Sequence, residues 1–354
     1  MHRLERLEGR TLFASYAAAT VPELIAVINA ANASKAADEI TLTAGTTFSL
    51  TAVNHTSGSG ATGLPAIAAG SGGLTVHGNG ATIERSSVTG TPEFRLLSIP
   101  EKASLTLLDL TLQGGVIRGK QAYESSAGVL GSLATPGQGG AVFNQGALTL
   151  DRVVIQNSTA YGAAGYAGWV NASPSPAEGG GVYSSGQLTV SNSAIRQNVS
   201  LGGRGVPAQS NYYFTRLPGP GADGSGGGIF VAGGSAQLGN SAVSANAAQG
   251  GFGGAFAQGS TATGGNGYGG GVYAAGGTLS MRNSIVSANA ALGGEGRLFH
   301  GGKLVPGHEG TGTGGGTYIG KASVGLDAFT VRNTKNNTAT TSARDIFGRY
   351  SKLV

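Results

Sequence analysis

The chain has 354 residues, enough to bury a large core in one elongated domain, and its 66 Gly and 11 Pro make up a little under a quarter of it. Cysteine is absent, which excludes disulfides and thiolate metal sites, and only 11% of the residues are charged. Of the net charge of +5, +4 lies at one end, from Lys321 to Val354, so there is no basic stripe for nucleic acid, and no run approaches the roughly 20 apolar residues of a membrane span.

Residues 1–20, MHRLERLEGRTLFASYAAAT, set Arg3, Arg6 and Arg10 before a short apolar Leu12-Phe13-Ala14. That apolar centre is shorter than a standard signal peptide requires. The string LERLEGRTLFAS resembles the LExLExRTLLS leader of exported bacterial proteins, which implies export; a disordered basic N-terminus is the other reading. Thr20-Val21-Pro22-Glu23 is a capping box, and Leu24, Ile25, Ile28 and Ala31 fall on one face, so residues 21–33 are expected to form an amphipathic helix. A helix there could close one end of a stack of strands, whose core and edge would otherwise meet water.

Short strands follow, at 40–42, 74–76, 81–83, 94–99 and 105–112, with a Gly/Ser/Thr-rich loop at 51–71. Then a unit repeats five times. It opens GGAVF at Gly139, GGGVY at Gly179, GGGIF at Gly226, GGGVY at Gly269 and GGGTY at Gly314, in steps of 40, 47, 43 and 45 residues. Repeats of this length mark solenoids, in which each unit buries its apolar face against its neighbours. Within a unit the apolar residues alternate, as in Leu188-Thr189-Val190, a period of two that specifies strand.

Stacked in register, Leu148, Leu188, Ala236 and Leu279 make one inward column, and Leu150, Val190, Leu238 and Met281 a second. Ile155, Ile195, Val243 and Val286 make a third. After the middle strand comes a corner residue suited to left-handed backbone: Asp109, Arg152, Asn192, Asn240, Asn283 and Asp327. Asn157, Asn198, Asn246, Asn289 and Asn336 or Asn337 then offer a ladder of amides from rung to rung. The expected fold is all-β: a single-stranded right-handed parallel β-helix of seven or eight rungs, with an N-terminal capping helix. Residues 21–350 form that domain, with the helix cap at 21–33, irregular rungs at 40–112, five main repeats at 139–337 and a C-terminal cap at 338–350.

Five long inserts, 113–138, 158–178, 199–225, 247–268 and 290–313, leave equivalent corners and so emerge on one side. They carry Tyr161, Tyr166 and Trp169, and Tyr212 and Tyr213 beside Arg216, the candidate ligand-binding residues, because aromatic faces next to polar side chains can stack on sugar rings. The same rings could instead anchor the inserts to the rod. Phe143, Tyr183, Phe230, Tyr273 and Tyr318 recur at one position of every copy and read as a structural aromatic ladder.

The strings VPELIAVINAANAS, GNGATIERSS, SLTLLDLTLQGG and NNTATTSARDIFG resemble bacterial right-handed parallel β-helix proteins of the pectin-lyase-like superfamily, of the kind labelled choice-of-anchor. GGAVF and IQNSTA are similar to the paired signatures of polymorphic outer-membrane adhesins. The resemblance implies a secreted or cell-surface protein and leaves the reaction open, since this fold serves enzymes and non-enzymes alike.

The Asn-Thr-Asp, Asp-Asp and Arg-Ile-Lys motifs of the pectin-degrading members are missing. Asp151 is the one candidate catalytic carboxylate. Asp109 lies a rung from Arg152 and reads as an ion pair. His300, His308 and Glu309 share an insert, but their spacing matches no metal motif, and no cofactor fingerprint occurs, so neither metal nor cofactor is expected. The expected role is a structural or adhesive module that meets a polysaccharide or a surface protein through its inserts. The alternative is a polysaccharide lyase or glycoside hydrolase.

Overall fold

The computed structural model describes residues 14–124, 130–166, 172–207, 209–210, 215–254, 261–300 and 303–354. Its largest sheet has 15 strands, and ten of them lie side by side from Ala14–Ala18 to Ser351–Leu353. The inward columns pair in parallel register: Leu150 with Val190, Val190 with Leu238, and Leu238 with Met281. All four are buried at 2% exposure or less, in a core cluster running from Ala18 to Leu326. At ~4.8 Å per strand, ten strands span about 43 Å. That is longer than seven or eight rungs allow, because strands at both ends extend the stack.

Each repeat visits four parallel sheets in one order. Val142–Asn144 and its equivalents form an aromatic sheet of seven strands, and the chain then enters the wide sheet in two limbs, Gln187–Ser191 and Ala194–Arg196 in the second copy. A six-stranded sheet containing Thr159–Tyr161 follows, and a five-stranded sheet containing Ala177–Glu178 completes the circuit. This all-β, parallel, in-register arrangement is consistent with a solenoid of the β-helix type.

The corners explain why the chain turns where it does. Asp109, Arg152, Asn192, Asn240 and Asn283 all have φ between 48° and 54°. Asp327 differs: its φ is −80°, and its Oδ1 accepts from Thr330 N at 2.8 Å as the N-cap of helix α2 (Ala328–Asn333). The amide ladder is buried and continuous through Asn198, Asn246, Asn289 and Asn337. Asn157 is not part of it. With φ of 53° it occupies the left-handed corner one residue earlier, and Ser158 holds the ladder position, its N–H donating to Asn198 Oδ1 at 3.0 Å.

The first described residues already belong to the stack. Ala14–Ala18 pairs with Asp38–Leu42, and Ala18 is buried. Helix α1 (Val21–Ala33) buries Leu24, Ile28 and Ala31 in the core cluster. Segments 74–76 and 81–83 are two limbs of one strand, Leu74–Arg85, rather than separate rungs. The loop at 51–71 contains a hairpin, His55–Ser57 with Gly60–Thr62. Arg95, fully buried, fastens it: Nη2 donates to Ser59 O at 2.6 Å and to Gln138 O at 2.9 Å, and the guanidinium lies over the Phe143 ring. Burial pushes the Arg95 pKa down to about 9, which leaves it charged at neutral pH.

The inserts are shorter than expected, because their first and last residues are strands of the coil. These strands have two or three residues rich in Ala, Gly and Ser, and carry almost no period-two signal. Among the described residues, the inserts after the second, third and fourth repeats carry glycine-rich arms bonded with a period of three. Gly250 and Gly253 donate to Leu292 and Glu295 of the next outgoing arm, while Gly251 and Gly254 donate to Ala222 and Gly219 of a returning arm. Three residues per turn without internal hydrogen bonds is polyproline-II geometry, here satisfied between segments. The contacts zigzag between layers: Gly203 N to Ser175 O, Ala222 N to Gly203 O, Gly251 N to Ala222 O, Gly265 N to Gly251 O, Gly294 N to Gly265 O and Gly310 N to Gly294 O, all 2.7–3.0 Å. Most of these close approaches need glycine: a Cβ on Gly265 would sit 2.0 Å from Ala222 O.

Candidate functional site

The aromatic sheet presents alternate residues to its two sides. Val142, Val182, Ile229 and Val272 enter the core cluster, whereas Phe143, Tyr183, Phe230, Tyr273 and Tyr318 lie on the other face. Stacked rungs bring the rings together. Phe143 and Tyr183 stack with centroids 5.1 Å apart, Tyr183 and Phe230 at 5.6 Å, and Phe230 meets Tyr273 edge-on at 5.0 Å. Tyr268, from the five-stranded sheet, packs against both Tyr273 and Tyr318, and Phe347 extends the row as a further stacked ring. Such pairs contribute about 0.5–1.5 kcal/mol each beyond area burial.

Polar groups border this row. Glu178 Oε2 accepts from Gln138 Nε2 at 2.7 Å, and burial raises its carboxyl pKa above the ordinary range, with the amide bond partly opposing. Asp223 Oδ1 accepts from Asn266 N at 2.7 Å, and Asn266 Oδ1 accepts from Thr311 N and Oγ1, both at 2.8 Å. Burial pushes the Tyr273 phenol up to about 12, with neighbouring Tyr318, Tyr268, Asp223 and Glu178 adding to it. Phe143 and Phe230 are buried, so the partly exposed Tyr268, Tyr273 and Tyr318, edged by amides and carboxyls, are rings that can meet a sugar and bond its hydroxyls.

Glu178 makes stability depend on pH. The folded chain keeps its proton where the unfolded chain, titrating near pKa ~4.3, has released it, so stability falls as pH rises from there through the raised folded value. Glu178→Gln is expected to raise the melting temperature at pH 7 and leave it unchanged at pH 3, checked by thermal unfolding at both.

The other sequence candidates fall elsewhere. Tyr161 lies under Arg118, 4.3 Å from guanidinium to ring, and Arg118 Nη2 pairs with Glu93 Oε1 at 2.9 Å. Tyr166 exchanges backbone bonds with Ala172 at 3.0 Å in each direction. Thr215–Arg216 pairs with Gln209–Ser210 in a hairpin, but the Arg216 side chain lies outside the described residues. Trp169, Tyr212 and Tyr213 also lie outside them.

Asp151 sits at the bend of the wide sheet, where it pairs with Arg152 and accepts from Asn192 Nδ2 at 2.8 Å. Arg152 Nε also meets Asp109 Oδ1 at 2.6 Å, and that bond holds the Asp109 carboxyl below the usual range. Two carboxylates sharing one guanidinium form a surface tie.

Glu178 and Asp223 were not picked out from the sequence. The signal that could have found them is their place beside the GGxVY glycines, adjacent to the recurring aromatic. Among the described residues no helix is long and apolar enough to cross a membrane. No family model matches the chain, and no curated protein matches it.

Proposed function

We propose that this chain is an exported right-handed parallel β-helix that works at the cell surface as a structural or adhesive module, binding glycan on its arm side, with α1 as the lid of one end. The observation that carries the reading is the period-three bonding of the glycine arms. Ordering so many glycines costs conformational entropy, yet it holds the described arms as one array. A rigid array loses little further freedom when it binds. The purified chain is expected to bind a subset of a glycan array, with binding weakened at least tenfold by Tyr268→Ala. An array with no bound glycan would overturn the reading.

One observation favours the alternative, a polysaccharide lyase or glycoside hydrolase: the Glu178 carboxyl, whose pKa burial shifts upward, the direction a general acid needs, beside the Tyr183 phenol. In that reading Glu178, not Asp151, is the acid. Turnover of a polysaccharide that Glu178→Gln abolishes and Asp151→Asn preserves would establish it.

A further inference from the structure

The bend of the wide sheet forms a groove along the rod, on a sheet separate from the aromatic row. It has two contiguous stretches of ≈ 490 and ≈ 410 Å³ that share Arg152 and Val154. The floor is the outward column Thr111, Val154, Ala194, Ala242 and Ile285, one residue per rung in unbroken register. The wall is the column of left-handed corner residues from Asn79 to Asn283. At one end Ile285 is 41% exposed and Phe329 37% exposed. Six rungs line the groove, a span of about 24 Å at ~4.8 Å each.

We propose that this groove binds a linear, uncharged polysaccharide segment lying along the rod axis. Apart from Thr111 the floor is apolar, suited to the C–H face of a sugar. The wall repeats hydrogen-bonding groups at each rung. Asn192 Nδ2 donates to Asp151, and Asn283 Nδ2 to Asn240 Oδ1 at 2.6 Å, so each amide keeps a second N–H with no partner among the described residues. Charge excludes an anionic polymer: Arg152 is the cation of the lining and is already shared by Asp109 and Asp151. An added peptide strand is excluded too, because the floor strands between Ala147–Gln156 and Ile285–Ser287 are paired on both sides and offer no free edge.

The test is calorimetric titration of the full chain with β-1,4-linked glucose oligomers of two to eight units, beside oligogalacturonates of matching length. Affinity for the neutral oligomers is expected to rise at least tenfold with length and level off once about five sugars fill the ~24 Å span. Oligogalacturonates are expected to bind at least tenfold more weakly. Ala242→Arg, which fills the floor from outside the core, should abolish binding, and Ala242→Ser should retain it. Tyr268→Ala, the arm-side variant, should leave it intact, so the two sites fail separately. No binding by any neutral oligomer, preference for the charged ones, or wild-type affinity in Ala242→Arg would overturn the proposal.

Discussion

Asn246→Ala is expected to destabilise the fold by about 2–6 kcal/mol, since each of two buried backbone groups left unpaired costs ~1–3 kcal/mol. The Asn246 carboxamide accepts from Asn198 N at 3.0 Å and donates to Ile195 O at 2.9 Å, besides bonding the amides above and below it. Water cannot replace these bonds, because Asn246 is 1% exposed. Asn246→Ser should lose less, as Ser158 already stands at the equivalent place in the first copy. Urea unfolding of the three proteins checks the order. A midpoint for Asn246→Ala equal to the parent's would mean that the ladder contributes nothing.

The second large effect is expected in the arms. A Cβ on Gly251 would lie 2.1 Å from Gly203 O, a contact that only backbone movement can relieve. Movement would break Gly251 N to Ala222 O at 2.7 Å and Gly265 N to Gly251 O at 2.8 Å. Strain of about 1–3 kcal/mol plus two bonds worth ~1 kcal/mol each gives a loss of roughly 3–5 kcal/mol for Gly251→Ala. Gly239→Ala is the control, because nothing lies within 4 Å of its Cβ position, and it should stay within about 0.5 kcal/mol of the parent. Hydrogen exchange separates the regions: amides of residues 250–254 and 263–266 should lose protection in Gly251→Ala, while those of 236–243 keep it. Unchanged protection in the arms would refute the close packing.

Much of the coil is readable from residue order, since its signals are local and repeated. The columns ending in Leu279 and Met281 follow from alternation, and the left-handed corners from the polar residue after each strand. Asp327 breaks that rule because three residues later Thr330 offers an N–H to cap, and helix start competes with corner for the same side chain. Asn157 breaks the ladder rule because corner and ladder are adjacent positions, and either suits Asn. The arms were misread for a different reason. The string Gly250-Gly251-Phe252-Gly253-Gly254 holds a period of three, but glycine has no side chain to announce a buried face, and its abundance hides the spacing.

What the order of residues settles on its own is the rung: strand, corner, strand, amide, each specified within about twenty neighbours. Which polar and aromatic groups become one surface is settled only by stacking, which brings Glu178 and Asp223 beside Tyr273 from residues 50 to 95 positions apart in the chain. Loops of unequal length separate those groups in sequence, and hydrogen bonds between neighbouring turns bring Asp223 to about one strand spacing and Glu178 to about two from Tyr273 in space.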